Sequence, residues 1–291
     1  MIDLSGRVAI ITGAGGGLGR AHALLLASRG ASVVVNDLGE DADLVAAEIR
    51  AAGGMARAMR CAVDDAAAVQ EMVRTIEQDW GRVDILVNNA GILRDRSFAK
   101  MTLEEFRQVI EVHLMGAVHC TKAVWDGMRA RNYGRIVMTT SCSGLYGNFG
   151  QANYAAAKMA LVGLMQTLGI EGAKHDIRVN CLAPLAATRM LEGILPPEQL
   201  AWFKPELVSP ALLALVAENA PNRAILSAGA GSFELAYVAL TQGIHLGEDA
   251  SAEQILARWA ELTDRSGDFV PVQGFDQARH ELRKAGFAPE G

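Results

Sequence analysis

The chain has 291 residues, 51% hydrophobic and 21% charged, enough apolar material for a large core, and this excludes a disordered or low-complexity protein. Its 27 Lys and Arg against 33 Asp and Glu leave a net charge of −6 with no basic block, which argues against a nucleic-acid partner. Cys61, Cys120, Cys142 and Cys181 follow neither metal-ligand nor disulfide-framework spacing, no apolar run reaches membrane-span length, and neither end carries a recognised address; a soluble, reduced, cytoplasmic protein with no metal and no membrane partner is expected.

Residues 7–11 form an apolar run that predicts a first strand. Thr12-Gly13-Ala14-Gly15-Gly16-Gly17-Leu18-Gly19 follows at once, then a helix over 20–29 stopped by Gly30. Strand, glycine loop, helix is the setting a dinucleotide fingerprint requires. Glycines let the backbone approach a pyrophosphate, and a helix N-terminus offers it free N–H groups and positive potential. Gly13, Gly15, Gly16, Gly17, Leu18 and Gly19 are therefore the candidate cofactor loop. A second strand over 31–36 ends at Asp37, eighteen residues past Gly19. A carboxylate there accepts hydrogen bonds from an adenosine ribose and repels a 2′-phosphate, favouring NAD over NADP. Asp37 also reads as a cap for the helix predicted over 41–52.

A third strand over 55–63 and a helix over 66–80 come next, with Asp64 and Asp65 between them as ligand contacts or N-caps. A fourth strand over 83–87 runs into Asn88-Asn89-Ala90-Gly91. Thr102-Leu103-Glu104-Glu105 has the form of a capping box and opens a helix predicted to run unbroken to about residue 130. A fifth strand over 134–140 exits through Ser141-Cys142-Ser143 into a glycine-rich loop and then a helix over 155–173. Tyr154 and Lys158, four apart, share one face of that helix. An ammonium near a phenol favours the phenolate, so Tyr154 gains the character of a general acid or base, with a strand-exit serine to hold the reacting oxygen. Taken alone, the pair reads better as an ordinary surface pair.

A sixth strand over 176–183 ends at Pro184. Residues 189–220, with Pro196, Pro197, Trp202 and Phe203, read as a lid over a substrate or as an ordinary surface helix. Residues 224–227 give a seventh strand, 233–247 a hairpin or extended tail, 252–263 a short helix and 264–291 a polar arm that would wrap a neighbour. The β–α alternation implies an α/β fold: a single doubly wound (Rossmann) parallel seven-stranded sheet with helices on both faces, over residues 1–247, and a C-terminal extension over 248–291.

A serine-bearing strand exit, a glycine-rich loop, Tyr154-x-x-x-Lys158, the glycine loop after the first strand and Asn88-Asn89-Ala90-Gly91 together resemble the short-chain dehydrogenase/reductases over residues 3–231. The resemblance implies hydride transfer between a secondary alcohol and nicotinamide. It places the catalytic serine thirteen residues before Tyr154, at Ser141, with Ser143 as the alternative two residues on. It makes Tyr154 the acid or base, and it has Lys158 lower the phenol's pKa and grip the nicotinamide ribose. Asp64, with Asp65 beside it, would meet the adenine amino group; Asn89, Ala90 and Gly91 would lie near the cofactor, and Thr188 would meet the nicotinamide amide. Two positions depart from the pattern. His113 stands where most members carry a catalytic Asn, and it reads as a relay substitute or as a packed helix residue. Pro184-Leu185-Ala186-Ala187-Thr188 has Leu for the usual Gly and its Thr one residue early.

Residues 35–39, 89–98, 146–154 and 228–231 are similar to the (3R)-hydroxyacyl-CoA dehydrogenase domain of peroxisomal multifunctional enzymes, which would make this chain a stand-alone version. The implied substrate is a 3-hydroxyacyl-CoA or a steroid-like alcohol, with Arg94, Arg96, Arg189 and Lys204 as cations for CoA phosphates, and the implied assembly is a homodimer or homotetramer. A non-catalytic NAD(H) sensor is the competing reading, although a pure binder has no need of Ser141, Tyr154 and Lys158 together.

Overall fold

Five largely apolar runs form the middle of one sheet, and their near-complete burial explains why they lack the polar alternation of a half-exposed strand. The computed structural model describes residues 1–187 and 196–287. Strands β1 (Val8–Thr12), β2 (Ser32–Asp37), β3 (Ala56–Arg60), β4 (Ile85–Asn88), β5 (Gly134–Thr139), β6 (Ile177–Leu185), β7 (Ile225–Gly229) and β8 (Ser232–Ala236) line up in the order β3-β2-β1-β4-β5-β6-β7-β8. Every registered pair from β3 to β7 is parallel. The eighth strand exceeds the seven expected. Ala230 and Gly231, at φ +49° and +77°, make a two-residue turn of the kind that returns a chain antiparallel to itself.

Helices α1 (Gly17–Ser28), α2 (Asp41–Ala51) and α3 (Ala66–Trp80) follow the first three strands as the sequence predicts. The helix expected over 102–130 is broken. It consists of α4 (Leu103–Ile110), a π-helical turn (Glu111–Met115) and α5 (Gly116–Arg131), and the Gly116 N–H reaches back five residues to the Glu111 carbonyl. The predicted capping box is present: the Thr102 hydroxyl accepts from Glu105 N–H and the Glu105 carboxylate accepts from Thr102 N–H. A short helix, α6 (Cys142–Tyr146), takes the start of the predicted glycine loop, and α7 (Ala152–Gly172) carries Tyr154 and Lys158.

After β6 come the single turn α8 (Pro197–Leu200) and α9 (Ser209–Val216). The predicted lid thus divides: residues 189–195 lie outside the described residues, while α9 is a core helix that buries Leu212, Leu215 and Val216. Helix α1 meets α9 through a buried hydrogen bond between His22 Nδ1 and Ser209 Oγ at 2.8 Å. Ile11, Leu26, Val33, Val35, Leu212 and Val216 belong to the apolar core on this side of the sheet.

Packing divides the chain into Met1–Leu235, which holds the sheet, and Ala236–Gly291. The division falls earlier than the expected boundary at 247. The second unit contains α10 (Ala252–Ala257), α11 (Trp259–Leu262) and α12 (Phe275–Lys284) and an antiparallel bridge between Leu240 and Phe269. His280 of α12 is buried there, its ring 4.9 Å from that of Phe269 and its Nε2 2.9 Å from the Gln242 carbonyl.

Candidate active site

The strand order reverses between β1 and β4, and in an open parallel sheet the crevice at the carboxyl ends of such strands is where ligands bind. A cavity of about 860 Å³ lies there, towards the upper end of the ~300–1,000 Å³ usual for small-molecule clefts. Its walls include Gly13, Gly15, Gly16, Gly17, Leu18, Gly19, Asp37, Asp64, Asn89, Ala90, Gly91, Ser141, Tyr154 and Lys158. These are all the expected site residues except two. Asp65 is not on the wall, because its carboxylate caps α3 by accepting from Ala67 and Ala68 N–H, both at 3.0 Å. Thr188 lies outside the described residues.

The glycine loop is built by close approach. A Cβ on Gly19 would sit 2.2 Å from the Gly13 carbonyl, and one on Gly13 2.8 Å from Ala90 Cα. Gly13 also has φ +63°, a left-handed conformation that other residues resist. The Asn89 amide donates to Thr12 O at 2.9 Å and Gly13 O at 3.1 Å, and Thr12 Oγ1 accepts from Asn89 and Ala90 N–H. The Asn-Asn-Ala-Gly segment therefore fastens the glycine loop to β4, with the Asn89 Nδ2 group engaged in that task. Asp37 does not cap α2, whose N-cap is Glu40. One Asp37 oxygen accepts from Gly15 N–H at 2.8 Å and the other from Leu38 N–H at 2.7 Å. A cradle this tight beside a helix N-terminus, with a carboxylate at the end of β2, fits the pyrophosphate and adenosine ribose of a nicotinamide dinucleotide.

At the other end of the cavity, Ser141 is the N-cap of α6, its hydroxyl accepting from Ser143 N–H at 3.2 Å. The hydroxyl also interacts with the Tyr154 phenol and pulls its pKa down, but burial outweighs it and holds the phenol above its ordinary value. Lys158 is buried, and desolvation lowers it to about 7. Its Nζ donates to Thr139 O at 2.6 Å and stands 5.5 Å from the centre of the Tyr154 ring. In the protein by itself, burial is the largest influence on both groups and disfavours the charged form of each.

The sequence reading missed the residues that hold this pair. Thr139 O receives the Lys158 ammonium, and Thr140 Oγ1 donates to the Lys158 carbonyl at 2.7 Å. Asn153, fully buried, accepts from Tyr154 N–H through Oδ1 and donates to Arg94 O, while Gln151 donates to the Asp95 carboxylate. The loop after β4 is thereby pinned to the start of α7. Gln151 and Asn153 stand within the segment that carries the resemblance, but their partners come from a distant loop that spacing does not reveal.

Among the described residues, no group of three or more His, Cys, Asp or Glu is arranged to hold a metal ion, and no helix is long and apolar enough to cross a membrane.

Comparison with known proteins adds an independent line. The sequence profile of the short chain dehydrogenase family matches residues 7–198. A Mycobacterium tuberculosis protein named as a short-chain type dehydrogenase/reductase is 46% identical over 94% of this chain and 99% of its own length. The peroxisomal hydratase-dehydrogenase-epimerase of Saccharomyces cerevisiae is 47% identical over 90% of this chain, which spans only 31% of that protein. Among solved structures, full-length peroxisomal multifunctional enzyme type 2 of Drosophila melanogaster superposes with a TM-score of 0.83 at 39% identity, covering 98% of this chain and 50% of the fly chain. A 7α-hydroxysteroid dehydrogenase complexed with NADH and 7-oxo glycochenodeoxycholic acid gives 0.73 at 31% identity, covering 79% and 95%.

Proposed function

The chain belongs to the short-chain dehydrogenase family and is an oxidoreductase acting on CH–OH groups, and from that premise we propose that it oxidises (3R)-3-hydroxyacyl-CoA thioesters with NAD. The observation that carries the proposal is the meeting of Ser141, Tyr154 and Lys158 with the glycine cradle in one cavity. The cofactor, when bound, supplies the hydride acceptor and, in its oxidised form, a positive charge. Tyr154 takes the proton from the substrate hydroxyl, Ser141 holds that oxygen, and the Lys158 ammonium offsets the phenolate. In the reductive direction Tyr154 donates the proton instead.

Support for NAD over NADP comes from the ribose end of the cavity. Asp37 and Asp41 both line it, and the nearby cations are already engaged, Arg20 with Glu48 and Arg60 with Asp43 and Glu40. A 2′-phosphate would meet two carboxylates and, among the described residues, cations already engaged by carboxylates.

Support for an acyl-CoA comes from Arg94 on the cavity wall. Its guanidinium bonds the neutral Gln108 side chain at 3.0 Å and the Leu93 carbonyl at 2.8 Å, and no described carboxylate pairs with it. Arg96, by contrast, is spent on Glu105 at 2.7 Å, Lys204 is not on the wall, and Arg189 lies outside the described residues. The yeast relative's name joins a hydratase to a dehydrogenase, and hydration of a double bond makes the kind of hydroxyl such an enzyme would oxidise. The hydroxysteroid dehydrogenase with its bile-acid derivative favours a second reading, oxidation of a steroid alcohol, which keeps the same three residues in the same roles.

A homodimer or homotetramer is part of the proposal: α7 is apolar around most of its circumference, and Met159 and Ile170 stay exposed on it.

Replacing Tyr154 with Phe tests the reading. NADH binding, followed by its fluorescence, should persist while turnover falls at least ~100-fold, within the ~10²–10⁴ that positioned proton transfer contributes. Turnover surviving in Tyr154→Phe would end the mechanism, and a wild type that binds NAD yet oxidises no alcohol would favour the sensor.

A further inference from the structure

The last residue of β5 carries a hydroxyl that the fold leaves unused. Thr139 is 6% exposed and lines the cavity, and its Oγ1, shut off from solvent, has no hydrogen-bond partner among the described residues. Its carbonyl, by contrast, takes up the Lys158 ammonium at 2.6 Å. The next two hydroxyls along the chain are engaged as well, Thr140 Oγ1 donating to the Lys158 carbonyl and Ser141 Oγ accepting from Ser143 N–H. A buried hydroxyl without a partner destabilises a fold, and protein interiors rarely keep one unless something else completes it.

Alternation along β5 gives that hydroxyl its direction. Met138 meets the Asn88 amide, which also bonds Thr121 of α5, and Thr140 reaches α7. Thr139, between them, shares the face of Val137, whose core includes Leu212 and Val216 of α9. Its neighbour in register is Leu182 of β6, the strand that runs on to Pro184 and Leu185 on the cavity wall. The Thr139 side chain therefore looks away from α7, where Tyr154 takes the substrate hydroxyl. It also stands at the opposite end of the cavity from the glycine cradle. A dinucleotide whose pyrophosphate rests in that cradle brings its nicotinamide ring to this end, against the substrate carbon, so the ring is the partner left for Thr139.

We propose that Thr139 Oγ1 is a hydrogen-bond partner of the nicotinamide carboxamide, so that one residue holds the Lys158 ammonium through its carbonyl and the cofactor ring through its side chain. The inference rests on the reading of this cavity as a nicotinamide-dinucleotide site and goes beyond it in assigning a contact to the ring. A carboxamide presents both a donor and an acceptor, and a hydroxyl matches either. The family resemblance puts such a contact on Thr188, after a segment in which Leu185 replaces the usual glycine. Thr139 supplies one from a core strand.

Two variants test the assignment: Thr139→Val keeps the shape of the side chain without its hydroxyl, and Thr139→Ser keeps the hydroxyl. Without ligand, Thr139→Val should melt about 2–4 °C above the parent, because the unpaired hydroxyl is gone. Its affinity for NADH, read by fluorescence titration, should fall about 3–10-fold, the usual scale of one neutral hydrogen bond. Its affinity for ADP-ribose, which lacks the nicotinamide, should match the parent's by calorimetry, and Thr139→Ser should bind NADH nearly as the parent does. Parental NADH affinity in Thr139→Val would overturn the proposal, as would Thr139→Ser binding no better than Thr139→Val. Equal weakening of NADH and ADP-ribose would overturn it too, by giving the hydroxyl to another part of the cofactor. So would a Thr139→Val protein that melts below the parent or does not fold, since the hydroxyl would then already serve the fold. A parent that binds neither ligand would end the cofactor reading and this inference with it. Every readout is binding or melting, so a parent that behaves as expected yet oxidises no alcohol counts against the dehydrogenase reading and leaves Thr139 standing.

Discussion

Asp37 serves the fold at a place where we propose it also serves a ligand. Its carboxylate already accepts from Gly15 and Leu38 N–H, so it shapes the glycine loop before any cofactor arrives. Replacing it with Ala removes a charge-assisted hydrogen bond to the ribose worth roughly 1.5–3 kcal/mol, so NAD affinity should fall about 10–150-fold while NADP gains relative to it. Fluorescence titrations with NADH and NADPH check this; an unchanged ratio of the two affinities would show that Asp37 does not set the preference. The place of Asp37 on the cavity wall was legible in the sequence because eighteen residues from Gly19 is a spacing that β2 enforces. Ser141 was legible in the same way, through its register with Tyr154. The electrostatics were not legible. Spacing places an ammonium beside a phenol, but only the buried surroundings reveal that desolvation raises one pKa and lowers the other. Asp65 failed for a related reason: two adjacent carboxylates at a strand exit look alike until one of them caps a helix.

At the scale of elements, the strands were legible because short continuous apolar runs ended by glycine or asparagine suit a buried strand and are too brief for a buried helix. The π turn was not, since one added residue barely disturbs a helical hydrophobic pattern. Helix α6 was hidden by Gly144 and Gly147, which read as a loop; Gly147, at φ +80°, in fact stops the helix. Close packing makes a prediction about the joint between β4 and the π turn. Gly91→Ala places a methyl where the His113 ring stands, so the ring or the loop must shift at a cost of ~1–3 kcal/mol, as overpacking of a buried site usually does. Thermal unfolding should move down and turnover should fall with it. A variant as stable and as active as the parent would mean that the two elements are not locked together.

At the scale of the whole molecule, β–α alternation gave the layers, while the hairpin that adds β8 depends on Ala230 and Gly231 taking left-handed angles that composition does not announce. Burial of ionisable groups then sets how stability responds to pH. His22 and His113 both drop from 6.5 to about 3, chiefly through burial, so the unfolded chain takes up protons below about 6.5 that the folded one refuses until about 3. Stability therefore falls as pH drops through that window. Denaturant titrations at pH 7 and pH 4 should show His22→Asn losing less stability between them than the parent; an equal loss would count against the histidine contribution. Lys158 acts at the other end. Its pKa falls from 10.5 to about 7, so the unfolded chain holds the extra proton in between, this group's contribution to stability rises with pH over that range, and Lys158→Met should flatten the rise.

We propose that this cavity oxidises a (3R)-3-hydroxyacyl thioester of CoA with NAD. The most direct measurement is the rate of NADH formation with purified protein and NAD on 3-hydroxyacyl-CoAs of both configurations, with hydroxysteroids alongside. The account predicts turnover of the (3R)-acyl-CoAs, little with the (3S) forms, and its loss in Tyr154→Phe. Turnover confined to the steroids, or oxidation of (3S) esters in preference to (3R), would contradict it.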